Sequence, residues 1–125
     1  MDPVTLAFLG DAYFELIVRR KLAERGGRWT ADKLHFAAVH YVNASSQAKA
    51  MRALVAKGAL SDEESEIVRK ARNRKPKTVP KHTASIDYKY ASAFEALLGY
   101  HYSAGRLERA EELSELAMEI IDERD

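Results

Sequence analysis

"LAFLGDAYFEL", residues 6–16, decides the fold. Leu6, Leu9, Tyr13, Leu16, Ile17 and Arg20 step along a helix at three- and four-residue intervals, and nothing in the run alternates with period two. Asp2 before Pro3 places a capping carboxylate ahead of a proline at the first helical position, where its missing N–H costs nothing. A first helix from Pro3 to about Arg25 follows, stopped by Gly26 and Gly27. Inside it, Asp11 stands between Gly10 and Ala12 in otherwise apolar surroundings, as a charge that burial would make costly without a partner.

Working outward, the same punctuation divides the chain. Thr30 caps a second helix over about 31–42, Asn43 a third that Gly58 stops, and Ser61 with Glu64 spaces as a capping box for a fourth to about Ala71. "NRKPKTVPKHTAS" carries two prolines and no apolar period, so a loop is expected over about 72–85. A fifth helix runs from about Ile86 to Ala104, ahead of Gly105, and a sixth from about 106 to 123. The expectation is an all-α fold, one domain over residues 1–125 with about six helices.

Composition bounds the function classes. The chain is 46% hydrophobic and 31% charged, with no cysteine and no apolar run near a membrane span, so disulfides, thiolate metal sites and a membrane partner are not expected. "MDPVTLAFLGD" lacks a signal-peptide pattern, and a cytoplasmic setting is expected. The net charge of +1 hides an uneven distribution. From Arg69 to Ile86 there are seven basic residues (Arg69, Lys70, Arg72, Arg74, Lys75, Lys77, Lys81), plus His82, and no acid. From Arg106 to the end, eight acids face three arginines. Such a basic, proline-interrupted segment serves either as a solubilising loop or as an arm that contacts phosphate.

Asp11 has a counterpart. "SAFEALLGY", residues 92–100, places Glu95 among apolar residues on the fifth helix, with Ala91, Ser92, Leu98 and Gly99 on its face. Small neighbours at both positions let something approach the backbone closely. Two carboxylates on two helices make a seat for a hard divalent cation, and Mg²⁺, which takes few carboxylates and keeps several waters, suits them. Two other readings of each acid fit the spacing: the edge of a polar face, or an ion pair with Lys or Arg. His35, His40, His82 and His101 show no ligand spacing and read as core-edge or surface residues.

"LAFLGDAYFELIVRR" and "SAFEALLGYHYSAGRLERA" resemble the two acidic motifs of the ribonuclease III catalytic domain, in their order and separation. The resemblance spans essentially the whole chain. With the sequence ending at Asp125 and "RNRKPKTVPKH" preceding the second motif, it is to the Mini-ribonuclease III form, which has no double-stranded-RNA-binding domain. The resemblance implies that Asp11 and Glu95 are catalytic and bind metal, Mg²⁺ or Mn²⁺ in its place. It implies cleavage of double-stranded RNA by a homodimer and, in bacteria, trimming of precursor large-subunit ribosomal RNA. Two further acids of the wider family are Ala7 and Ser92 here, which leaves two of four. Arg69, Arg72, Arg74, Lys75, Lys77, Lys81 and His82 are the expected RNA contacts. Apolar residues on the first helix (Leu6, Phe8, Leu9, Phe14, Leu16, Ile17) exceed what one face can bury, which also favours a dimer. The alternatives are a non-catalytic RNA-binding or ribosome-associated module that has lost acids, and a helical protein–protein module, which leaves the basic segment unexplained.

Overall fold

The computed structural model describes residues 1–74 and 85–123. They form α1 (Pro3–Glu24), α2 (Ala31–Val42), α3 (Ala44–Ala56), α4 (Asp62–Asn73), α5 (Ser85–Ser103) and α6 (Leu107–Asp122), with no strand among the described residues. The caps explain the boundaries. The Thr5 amide donates to Asp2 Oδ1 at 2.8 Å, the Lys33 amide to Thr30 at 3.2 Å and the Ser46 amide to Asn43 at 2.8 Å. Ser61 and Glu64 form the expected reciprocal capping box. Gly58 (φ 66°) and Gly105 (φ 77°) end α3 and α5 in the left-handed region, where other residues are strained. No helix among the described residues is long and apolar enough to cross a membrane.

Helix α5 is the hub, packing against α1, α3, α4 and α6. Phe94, Leu97 and Leu98 of α5 are fully buried with Phe14, Val18 and Leu22 of α1, Met51 and Leu54 of α3, and Leu113 of α6. The Phe14 and Phe94 rings meet edge to face, 5.0 Å between centroids. The buried stripe of α1 is Leu6, Gly10, Phe14, Ile17, Val18 and Leu22. It is rotated from the expected one: Leu16 is 64% exposed, because α5 approaches over Gly10 and draws that side inward. Phe8, at 77% exposure, faces outward with Leu16.

Candidate active site

The site starts from a missing atom. A Cβ built on Gly10 would lie 1.7 Å from the backbone oxygen of Glu95, and one on Gly99 would lie 1.9 Å from the backbone oxygen of Leu6. Only two glycines facing one another let the α1 and α5 backbones touch there. The small neighbours noted in the sequence therefore admit the other helix, and Asp11, next in chain to Gly10, is set against Glu95.

The two carboxyl groups lie within hydrogen-bonding reach, and their environments differ. Asp11 is exposed and Glu95 half-buried. The expectation of a buried Asp11 is thus reversed: the acid that lacks water is Glu95. Burial, then the hydrogen bond that the protonated Glu95 donates to Asp11, then the negative charge of Asp11 push the Glu95 carboxyl up to about 9. At neutral pH Glu95 therefore keeps its proton.

The flanks are small. Ala7 and Ser92 are half-buried, and Glu15 pairs with Arg19 at 3.1 Å along α1. Among the described residues no group of three or more His, Asp or Glu side chains is arranged to hold a metal, so an ion at this crossing would have two protein carboxyls, Asp11 and Glu95, to hold it. Two carboxylates are hard oxygen donors whose repulsion a cation would relieve, and they fit a divalent ion that keeps water in its remaining positions.

Of the expected RNA contacts, Arg69 pairs with Glu66 on α4, its Nε 3.0 Å from Oε2. Arg72 is half-buried and donates to the Tyr90 hydroxyl at 3.3 Å, and Arg74 caps α4. Helix α4 runs to Asn73, so Arg72 sits in its last turn and not in a loop. Lys75, Lys77, Lys81 and His82 lie outside the described residues. The polar run at the start of α3 serves the fold. The Ser46 hydroxyl donates to the His40 carbonyl at 2.8 Å, and buried Gln47 donates to the Val42 carbonyl at 3.3 Å.

A second charged cluster was not visible in the sequence. Glu64, 3% exposed, accepts from Arg109 Nε and Nη2, both at 2.8 Å, and faces His101 Nε2 at 2.6 Å. Arg106 Nε donates to His101 Nδ1 at 3.0 Å, which places the ring proton on Nε2, toward Glu64. His101 is therefore a buried clasp between α4, α5 and α6. Only the capping-box spacing hinted that Glu64 would turn inward.

The chain matches the ribonuclease III domain family over residues 4–106. It is 41% identical over 98% of its length to a Mini-ribonuclease 3 of a Thermoanaerobacter species, covering 84% of that protein. It is also 41% identical to the Mini-ribonuclease 3 of Symbiobacterium thermophilum, across 98% of this chain and 92% of that one. The chain belongs to the Mini-ribonuclease 3 branch of the ribonuclease III family. A crystal structure of a Fusobacterium nucleatum protein superposes with a TM-score of 0.83 at 28% identity, covering 94% of this chain and 92% of that one. In this ribonuclease III-type endoribonuclease, the two segments that resemble the family's acidic motifs meet where α1 crosses α5, which brings Asp11 and Glu95 together.

Proposed function

We propose that the described domain, with its basic segment, is the catalytic unit of a Mg²⁺-dependent endoribonuclease that cleaves double-stranded RNA at the Asp11–Glu95 pair. Mn²⁺ would serve in place of Mg²⁺. The observation that carries this reading is the contact of two carboxyl groups from two helices, with Glu95 held protonated up to about 9. A divalent cation would take the place of the Glu95 proton and offset the repulsion between the two ionised carboxylates.

A bound cation of this kind supplies a water of lowered pKa and balances the charge that builds on a phosphate under attack. The residues do the rest. Asp11, exposed, would offer its carboxylate to the ion. Glu95 would give up its proton on loading and hold the ion together with Asp11. Gly10 and Gly99 hold the two at fixed separation, so that no reorganisation is needed. No side chain is required as nucleophile.

Two sites are needed to cut two strands, and exposed Phe8 and Leu16, on the same helix as Asp11, support pairing with a second copy of this chain. The resemblance to the Mini-ribonuclease III form supports precursor large-subunit ribosomal RNA as substrate, in the bacterial cytoplasm.

Duplex RNA incubated with the protein in Mg²⁺ and in EDTA tests the reading, with Asp11→Asn and Glu95→Gln alongside. Metal-dependent cleavage lost in both variants is expected. A gel shift without cleavage would point instead to a binding module, and cleavage by either variant at a tenth of the wild-type rate would remove the pair from the chemistry.

A further inference from the structure

Three helices bring charge to one aromatic ring away from the carboxylate pair. The Arg52 guanidinium of α3 lies 5.2 Å from the centre of the Tyr90 ring on α5, and that of Arg72 on α4 lies 5.8 Å from it. Arg72 also donates to the Tyr90 hydroxyl, and Arg52 Nη2 lies 3.0 Å from Asp87 Oδ1. Two guanidinium groups thus meet at one ring with one carboxylate between them, which leaves a positive excess at the junction of α3, α4 and α5. Among the described residues Arg72 has no carboxylate partner. The Arg52 side chain is 44% exposed, so its pairing with Asp87 is a surface contact that contributes little and is readily exchanged.

We infer that Arg52 and Arg72, carried on Tyr90, form a phosphate-gripping station for the backbone of duplex RNA. This rests on the reading of duplex RNA as the substrate. A guanidinium held against a ring loses few rotamers on binding, and its fork, beyond the donor engaged by Tyr90 or Asp87, matches phosphate oxygens. Two such forks on one ring make a prealigned pair for adjacent oxygens or adjacent phosphates. Tyr90 lies five residues before Glu95, hence roughly 7 to 8 Å along α5 and about 140° around it. The station therefore holds the strand away from the bond that is cut. Arg52 and Arg72 touch RNA, and Tyr90 is a positioning residue that acts through them.

The test measures binding of a short perfect RNA duplex of arbitrary sequence in EDTA, across a salt series, with single-turnover cleavage in Mg²⁺ at saturating RNA. Arg52→Ala should make the log–log salt slope shallower by roughly 0.9 and weaken binding by on the order of tenfold at 0.1 M salt. Arg52→Lys keeps the charge and should restore the slope. Tyr90→Phe should stay near wild type, whereas Tyr90→Ala should bind roughly threefold more weakly through loss of the ring. Asp87→Asn should bind RNA more tightly, by a few-fold, because it frees Arg52; a merely structural ion pair would give no gain. Circular dichroism should remain helical throughout, and single-turnover cleavage by Arg52→Ala should need more RNA to saturate. Wild-type affinity and slope in Arg52→Ala would overturn the station while leaving the RNA reading intact. Wild-type protein that shows no salt-dependent duplex binding would remove the RNA reading itself, and the station with it.

Discussion

The Cβ that Gly10 lacks would stand 1.7 Å from the carbonyl oxygen of Glu95, a separation no pair of non-bonded atoms can tolerate. The obstacle is backbone, so no rotamer change can relieve it. Gly10→Ala must push α1 and α5 apart at the point that sets Asp11 against Glu95. We expect a loss of stability of about 3 kcal/mol or more, at the upper end of what overpacking costs, together with loss of cleavage. Gly99→Ala, facing the Leu6 oxygen at 1.9 Å, should behave alike. Thermal melts and cleavage assays check both, and an active Gly10→Ala enzyme of wild-type stability would show that the crossing does not set the site.

Metal loading should be coupled to proton release. Glu95 holds its proton up to about 9, and a cation needs the ionised form. Mg²⁺ affinity without RNA should rise about tenfold per pH unit across neutral pH and level off near 9. Calorimetry in buffers of different ionisation enthalpy would read about one proton released per ion bound. Affinity that stays flat from pH 6 to pH 9 would show that Glu95 does not control loading.

The metal-free protein should follow the same proton. A carboxyl whose folded value is raised holds a proton that the unfolded chain has lost, so stability falls as pH climbs from about 4.5 toward 9. Glu95→Gln removes that penalty and should be at least as stable as wild type at pH 8, with a flatter pH profile. A large destabilisation at pH 8 would mean that the protonated Glu95 has a structural role.

Glu64 works in the opposite direction. Its hydrogen bonds from Arg109, from the Ser61 amide and from His101 hold its carboxyl down at about 2, despite burial. A lowered value contributes stability that is fully present above about 4.5 and is lost as pH falls toward 2. That span corresponds to about 3 kcal/mol. Glu64→Gln takes the buried carboxylate from Arg109, which keeps the exposed Glu112 and the Ala59 carbonyl, and should destabilise by a similar amount at pH 7, while making the acid limb of the stability profile shallower. Urea unfolding from pH 2 to pH 7 checks both effects.

Helix ends were legible because they are local: a capping oxygen three residues from the amide it serves, or a glycine just past the last turn. Asp11 and Glu95 were legible as a pair through small neighbours on two helices. Which of them is short of water was not, because it depends on how α1 rolls over Gly10, and that roll is set by packing across the whole bundle. Glu64 was hidden for a related reason. It sits beside Asp62 and Glu63, equally acidic, and its partners His101 and Arg109 are 37 and 45 residues away. Arg72 read as a free cation because Tyr90 reaches it only after the chain has turned back through α5.

Phe8 and Leu16, at 77% and 64% exposure, predict the assembly. Phe8→Glu with Leu16→Glu should convert a dimer into a monomer of about 14 kDa with its helical signal intact, because neither side chain contributes to the buried core of its own chain. Sedimentation of wild type and variant at micromolar concentration reads the difference. A wild-type monomer would leave the exposed face of α1 without this explanation.

The last prediction concerns Ala7 and Ser92, where the wider family has acids. Both are half-buried beside a pair that already cannot ionise fully. If the site were only short of ligands, Ala7→Glu with Ser92→Asp would lower the Mg²⁺ needed for cleavage. The geometry favours the opposite outcome. Two more carboxyls beside Glu95 add like charge where burial and Asp11 already oppose ionisation, so more protons must leave before an ion can enter. The double variant should therefore need more Mg²⁺ at neutral pH, and recover part of its activity as pH rises. A Mg²⁺ titration at pH 7 and pH 9 separates the two outcomes. A lower requirement at pH 7 would mean that the small residues are a deficit in the ligand set, and not part of how this pair is packed.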